Sequence, residues 1–178
     1  MALKWKLYWL IFAAALAVYG TMIFWSLPFI ANEAGGPIPF DMRPGGYSLA
    51  EAQAFLTALS DQGRLFYLTT QHRLDLIYPA LLAFVLTGAG RGLTQNGYRP
   101  IAFVIGFAAF LGAGADYTEN MRVAAMLRAA PEALDAALVE SASFATLIKS
   151  ATTTVAMVLV LGLVVLALIR RFRKGASA

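Results

Sequence analysis

The sequence predicts an all-α protein: a four-helix transmembrane bundle with a short amphipathic helix in the first extracytoplasmic segment. Three observations carry this. The 178 residues are 60% apolar and 13% charged, with a mean hydropathy of +0.67; soluble domains run about 45–50% and about 25%. Long apolar runs recur along the chain. The charges are sorted by segment. One soluble core of this size could not hide so much apolar surface, so lipid is the expected solvent. Disorder is excluded for the bulk of the chain, because it requires low hydrophobicity and high charge. The absence of Cys removes disulfides, thiolate metal sites and Cys nucleophiles. A single His leaves no multi-histidine zinc site within one chain. The expectation is one integral membrane domain covering residues 1–178.

The first span is read at about 7–30. A helix needs about 20 apolar residues to cross roughly 30 Å of hydrocarbon. Leu7–Ile30 carries no charge, and Trp5, Tyr8, Trp9 and Trp25 stand at its ends as interfacial anchors do. The run exceeds the roughly 7–15-residue apolar region of a signal peptide, so an uncleaved helix is expected.

The segment 31–64 follows. Gly35-Gly36-Pro37-Ile38-Pro39 and Arg43-Pro44-Gly45-Gly46 are breaker-rich and predict extended loop. Ser48-Leu49-Ala50-Glu51 has the form of a capping box. Leu49, Ala52, Phe55, Leu56 and Leu59 then recur at helical spacing, which predicts an amphipathic helix over about 49–61. Asp61-Gln62-Gly63 is expected to turn into span two.

The remaining spans are placed at about 65–88, 101–124 and 146–169. The second takes in Gln71, His72, Arg73 and Asp75. The last ends in Arg170, Arg171, Arg173 and Lys174. In the outer segment 125–145, Pro131 suits the first turn of a further helix. Alanine and glycine at four-residue spacing (Ala13/Ala17, Ala102/Gly106, Ala108/Gly112) permit close helix approach.

The charges give an orientation. Lys4, Lys6, Arg91, Arg99 and the four basic tail residues share their segments with no acid. All 10 acids lie elsewhere. Positive-inside bias then puts both termini in the cytoplasm, with 31–64 and 125–145 outside, as expected for a bacterial inner membrane.

Ionisable groups at membrane depth are costly, so they face the bundle interior and are candidates for function. Arg64, Tyr67, Gln71 and Asp75 fall on one face of span two; His72 and Tyr78 flank Asp75. Pro79 removes the amide that would bond the Asp75 carbonyl. On span three, Asp116, Glu119 and Asn120 share a face, and Arg122 is spaced to pair with Glu119. Lys149 opens span four. The candidate polar or ligand site is therefore His72, Arg73, Asp75, Tyr78, Asp116, Glu119, Asn120 and Lys149. A structural polar layer and a cation, proton or headgroup site both fit these residue types. Ser48 is accounted for as a helix cap. Gly88-Ala89-Gly90-Arg91-Gly92 lacks the Gly-Lys-Ser/Thr ending of a phosphate loop.

No catalytic motif, metal-ligand spacing or cofactor pattern is present, and the chain is read as leaning away from an enzyme. The expected function is a non-enzymatic accessory, scaffold or lipid-contacting subunit of a membrane complex. The alternative is a minimal transporter or membrane-embedded enzyme using the acidic site near the outer face. Expected partners are membrane lipids, an anionic inner leaflet at the basic C-terminus and a larger membrane protein complex, not nucleic acid.

Overall fold

The computed structural model describes residues 2–94 and 97–175. Among the described residues the chain is helical and contains no strand. Four helices are long and apolar enough to cross a membrane: α1 (Leu3–Glu33), α3 (Asp61–Leu93), α4 (Arg99–Arg128) and α5 (Ala136–Gly175). The short helix α2 (Leu49–Ala58) lies between the first two. In the most apolar window of α5 only 11% of residues are buried within the protein. Surface of that kind is stable only against hydrocarbon.

The helix α3 packs against α1, α4 and α5, and α4 lies along α5. Close approach comes from small residues. A side chain at Gly112 would meet the Thr153 hydroxyl at 2.7 Å and that of Thr152 at 2.9 Å, so α4 and α5 touch almost backbone to backbone there.

The helices are longer than the hydrocarbon needs. The 40 residues of α5 reach about 60 Å at 1.5 Å per residue. The segment expected to be separate at 125–145 thus gives 136–145 to α5 and 125–128 to α4, leaving a short connection. Pro131–Ala133 forms a single 3-10 turn, not the start of a longer helix. The Asp135 carboxylate then accepts the Ala137 amide at 3.0 Å and opens α5.

The capping box at Ser48 forms as its spacing predicts. Ser48 Oγ accepts the Glu51 amide at 3.3 Å, and Glu51 Oε2 accepts the Ser48 amide at 2.7 Å. The fully exposed Glu51 carboxyl is held below its usual pKa, first by the Ser48 amide and then by the Ser48 hydroxyl. The helix stops at Ala58, three residues short of the expected end, because Ser60 caps the next one. Ser60 Oγ accepts the Gly63 amide at 3.0 Å. Asp61-Gln62-Gly63 is therefore the first turn of α3 rather than a loop.

The loop before α2 and α2 itself form a lid across one end of the bundle. Phe40 packs on Tyr47 and Phe55 at centroid distances of 4.7 and 4.9 Å. Gly46 fastens the lid to α5. Its φ of +79° is left-handed, and a Cβ there would come within 2.5 Å of Ser143 Oγ, so only glycine fits without strain. The same Ser143 Oγ accepts the Tyr47 amide at 2.8 Å.

Buried apolar residues form two clusters. One lies under the lid and includes Ile30, Phe40, Phe55, Tyr67, Met126 and Val139. The other, nearer the termini, includes Ala83, Leu86, Ile105, Ala109, Ala156 and Leu163. On α3, α4 and α5 the polar residues of interest fall between these clusters.

Candidate functional site: a buried polar layer

One turn of wide helix interrupts α1 and one interrupts α3. Met22–Ser26 and Tyr67–Gln71 are π turns. Such turns insert a residue and re-aim side chains, and they concentrate at functional positions. Here the last residues of the two turns meet. Ser26 Oγ donates to Gln71 Oε1 at 2.6 Å, and Gln71 Nε2 donates to Asp75 Oδ1 at 2.9 Å. All three residues are buried.

The Asp75 carbonyl lacks its helical donor because residue 79 is proline. Asn120 of α4 reaches it, with Nδ2 at 3.5 Å from the oxygen. The same Nδ2 lies 3.2 Å from Asp116 Oδ1, one helical turn away. Lys149 of α5 then closes the layer. Its Nζ lies 3.4 Å from Asp116 Oδ1 and pairs with Glu119 Oε2. Thr146 Oγ1 donates to the other Glu119 oxygen at 2.7 Å. The chain of contacts therefore runs through α1, α3, α4 and α5.

The Asp75 Oδ2 atom is buried and makes no hydrogen bond among the described residues. Two groups join the layer from above. The Tyr67 hydroxyl donates to Asp41 of the lid loop. Tyr47 of the lid has its pKa raised, first by burial and then by the negative charge of Glu119.

The sequence-derived set is only partly assembled. Asp75, Asp116, Glu119, Asn120 and Lys149 meet. His72 borders them, its Nε2 2.9 Å from the Asn120 carbonyl and its Nδ1 3.2 Å from that of Tyr67. A neutral ring can donate to one of these oxygens; a ring with both N–H groups donates to both. Arg73 is exposed. It lies two residues from Asp75, about 200° around the helix. Tyr78 turns towards α1 and stacks on Tyr19 at 5.5 Å. Arg122, spaced to pair with Glu119, instead donates to the Ser141 carbonyl at 3.2 Å. Lys149 takes the Glu119 carboxylate.

Six participants were not in the candidate set: Ser26, Asp41, Tyr47, Tyr67, Gln71 and Thr146. By spacing, Tyr67 and Gln71 fall on the Asp75 face but lie outside that set. Thr146 stands three residues before Lys149, on the same helix face, and that spacing is a usable signal. Ser26 is a lone hydroxyl in an apolar run. Asp41 and Tyr47 sit in a loop without period.

The layer is largely buried, with Lys149 and Asp116 16% and 15% exposed at its rim. Two cavities are described, and none of Asp75, Asp116 and Glu119 lines either. Among the described residues no group of three or more His, Asp or Glu side chains is placed to hold a metal ion. Comparison with protein-family models, with curated proteins and with solved structures gives no match for this chain.

Proposed function

We propose that the protein is a non-enzymatic, lipid-contacting component of a bacterial inner membrane, serving as an accessory or scaffold subunit of a larger complex. Both termini lie in the cytoplasm in this reading, and the lid faces the periplasm. The observation that supports it is the burial and mutual pairing of the polar layer. Glu119 and Gln71 are fully buried between two apolar clusters, with the lid above them. A largely buried, largely self-paired layer fixes four helices to each other, as a structural role requires. Exposed apolar side chains such as Phe24, Phe103 and Leu161 leave lipid or partner helices as what the bundle presents to its surroundings. Purification in mild detergent followed by mass spectrometry tests this. A stoichiometric larger partner supports it; a protein that purifies alone and transports protons or a cation in vesicles overturns it.

A minimal transporter or membrane enzyme is the second reading. It is favoured by a buried carboxylate oxygen, Asp75 Oδ2, that has no hydrogen-bond partner among the described residues. Proton or cation flux through reconstituted vesicles that is lost in Asp75→Asn would establish it.

A further inference from the structure

The larger cavity lies at the end of the bundle that carries the termini, in the groove between α3 and α4. Its volume is about 940 Å³. Its mouth is basic: Arg91 closes α3, Arg99 opens α4, and both line the groove. Neither makes an ion pair or a side-chain hydrogen bond among the described residues, and neither shares its segment with an acid. Next to them Arg170 of α5 is held against Tyr98, with Nη2 2.6 Å from the phenol oxygen and the guanidinium 5.2 Å from the ring centroid.

Away from the mouth the walls become apolar. Phe103, Phe107 and Phe110 of α4 stand along one side, exposed to the membrane. The floor is open because α4 contributes Gly106, where an added Cβ would lie 3.5 Å from Thr87. The Thr87 hydroxyl, in that floor, is buried without a hydrogen-bond partner among the described residues. The groove thus joins two unneutralised guanidiniums to an apolar channel with one spare hydroxyl.

We propose that this groove binds one anionic phospholipid, its phosphate held by Arg91 and Arg99 and an acyl chain lying along Phe103, Phe107 and Phe110. Charge complementarity selects the occupant. Guanidiniums fork onto phosphate oxygens, and basic pockets between membrane helices hold anionic headgroups. The inference deepens the lipid-contacting reading above and rests on it.

The test uses the full-length protein in mild detergent, offered phosphatidylglycerol and phosphatidylcholine with matched chains and counted by native mass spectrometry. The wild type should retain phosphatidylglycerol preferentially. Arg91→Gln with Arg99→Gln should cut that preference by about 30-fold, as two lost surface-charge contacts imply. Lys4→Gln with Lys6→Gln removes as much charge elsewhere at the same end and should change it less than about twofold. Gly106→Leu keeps both arginines but fills the floor, and should release the lipid. Equal losses in the two charge doubles would reduce the effect to general attraction and overturn the site. Displacement of the lipid by inorganic phosphate alone would show a free-phosphate site and overturn it too. If the wild type holds both lipids equally, the site fails while the accessory role stands; that role is decided separately by the partner purification. Melting temperatures of the two charge doubles should match the wild type, since the substituted arginines and lysines are exposed.

Discussion

Glu119 is gripped from two sides: Lys149 pairs with one carboxylate oxygen, and Thr146 Oγ1 donates to the other at 2.7 Å. Both partners come from α5, one helical turn apart. The grip therefore fixes α5 against α4 in rotation as well as in depth. Interhelical hydrogen bonds in membranes average only about 0.6 kcal/mol. Stranding one member of a buried ion pair costs about 3–5 kcal/mol. The ion pair should therefore dominate.

A double-mutant cycle checks this. Lys149→Met should destabilise by about 3–5 kcal/mol, because it strands the buried Glu119 charge. Glu119→Gln should cost less, because Lys149 keeps Asp116 at 3.4 Å. The double variant should recover much of the loss. Thermal melting in detergent reads it; losses that simply add would mean that the two charges act independently.

Asp75 should respond differently. Asparagine keeps an oxygen for Gln71 Nε2 and alters only the position where Oδ2 has no partner. Asp75→Asn should change stability by less than about 1 kcal/mol, whereas Asp75→Leu strands the Gln71 amide and should cost about 1–3 kcal/mol. Equal melting of the two variants would show that the Gln71 contact is not holding α3.

The lid depends on Gly46. Gly46→Ala forces a left-handed alanine, worth about 1–2 kcal/mol, and pushes Cβ into Ser143 Oγ. Proteolysis within 35–47 should accelerate, while the melting of the membrane helices changes little. An unchanged cleavage rate would mean that the lid is not fastened at this point.

The cap of α2 should be pH-sensitive. The folded Glu51 pKa lies below the usual 4.5. A lowered folded value contributes stability above the unfolded pKa and loses it as pH falls through the folded one. Hydrogen-exchange protection at 50–54 should therefore fall below about pH 4.5, near the ordinary glutamate pKa. Glu51→Gln should remove that dependence. Ser48→Ala should cost about 0.5–2 kcal/mol of local stability at any pH.

Orientation can be read on a chain that contains no natural cysteine. Leu3 is 80% exposed, and Gly45 has open space around its missing Cβ. In intact cells an impermeant thiol reagent should label Gly45→Cys and spare Leu3→Cys. The opposite pattern would invert the proposed topology.

The spans were legible because length and apolarity suffice to mark them, and α2 because Ser48 and Glu51 announce its start. The ends were not. Apolarity stops at the hydrocarbon edge, but α5 extends back to Ala136, capped by Asp135 and packed through Val139 and Ala142 under the lid. The acids of the polar layer were legible as costly residues on shared faces. Their partners were less so. Helical spacing offered Arg122 to Glu119, but a contact between helices placed Lys149 there instead. The π turns at Ser26 and Gln71 shift helical phase by one residue, which regular periodicity cannot show.

The bond between the Tyr47 amide and Ser143 spans 96 residues. During synthesis the lid segment is made long before its anchor exists. It must wait, unfastened, until two further spans and the start of a third have been threaded into the bilayer. Lys149 arrives last, into hydrocarbon that would reject it alone, and finds Glu119 already in place. The final helix would thus complete assembly twice over, by neutralising an acid that preceded it and by latching a lid that preceded both.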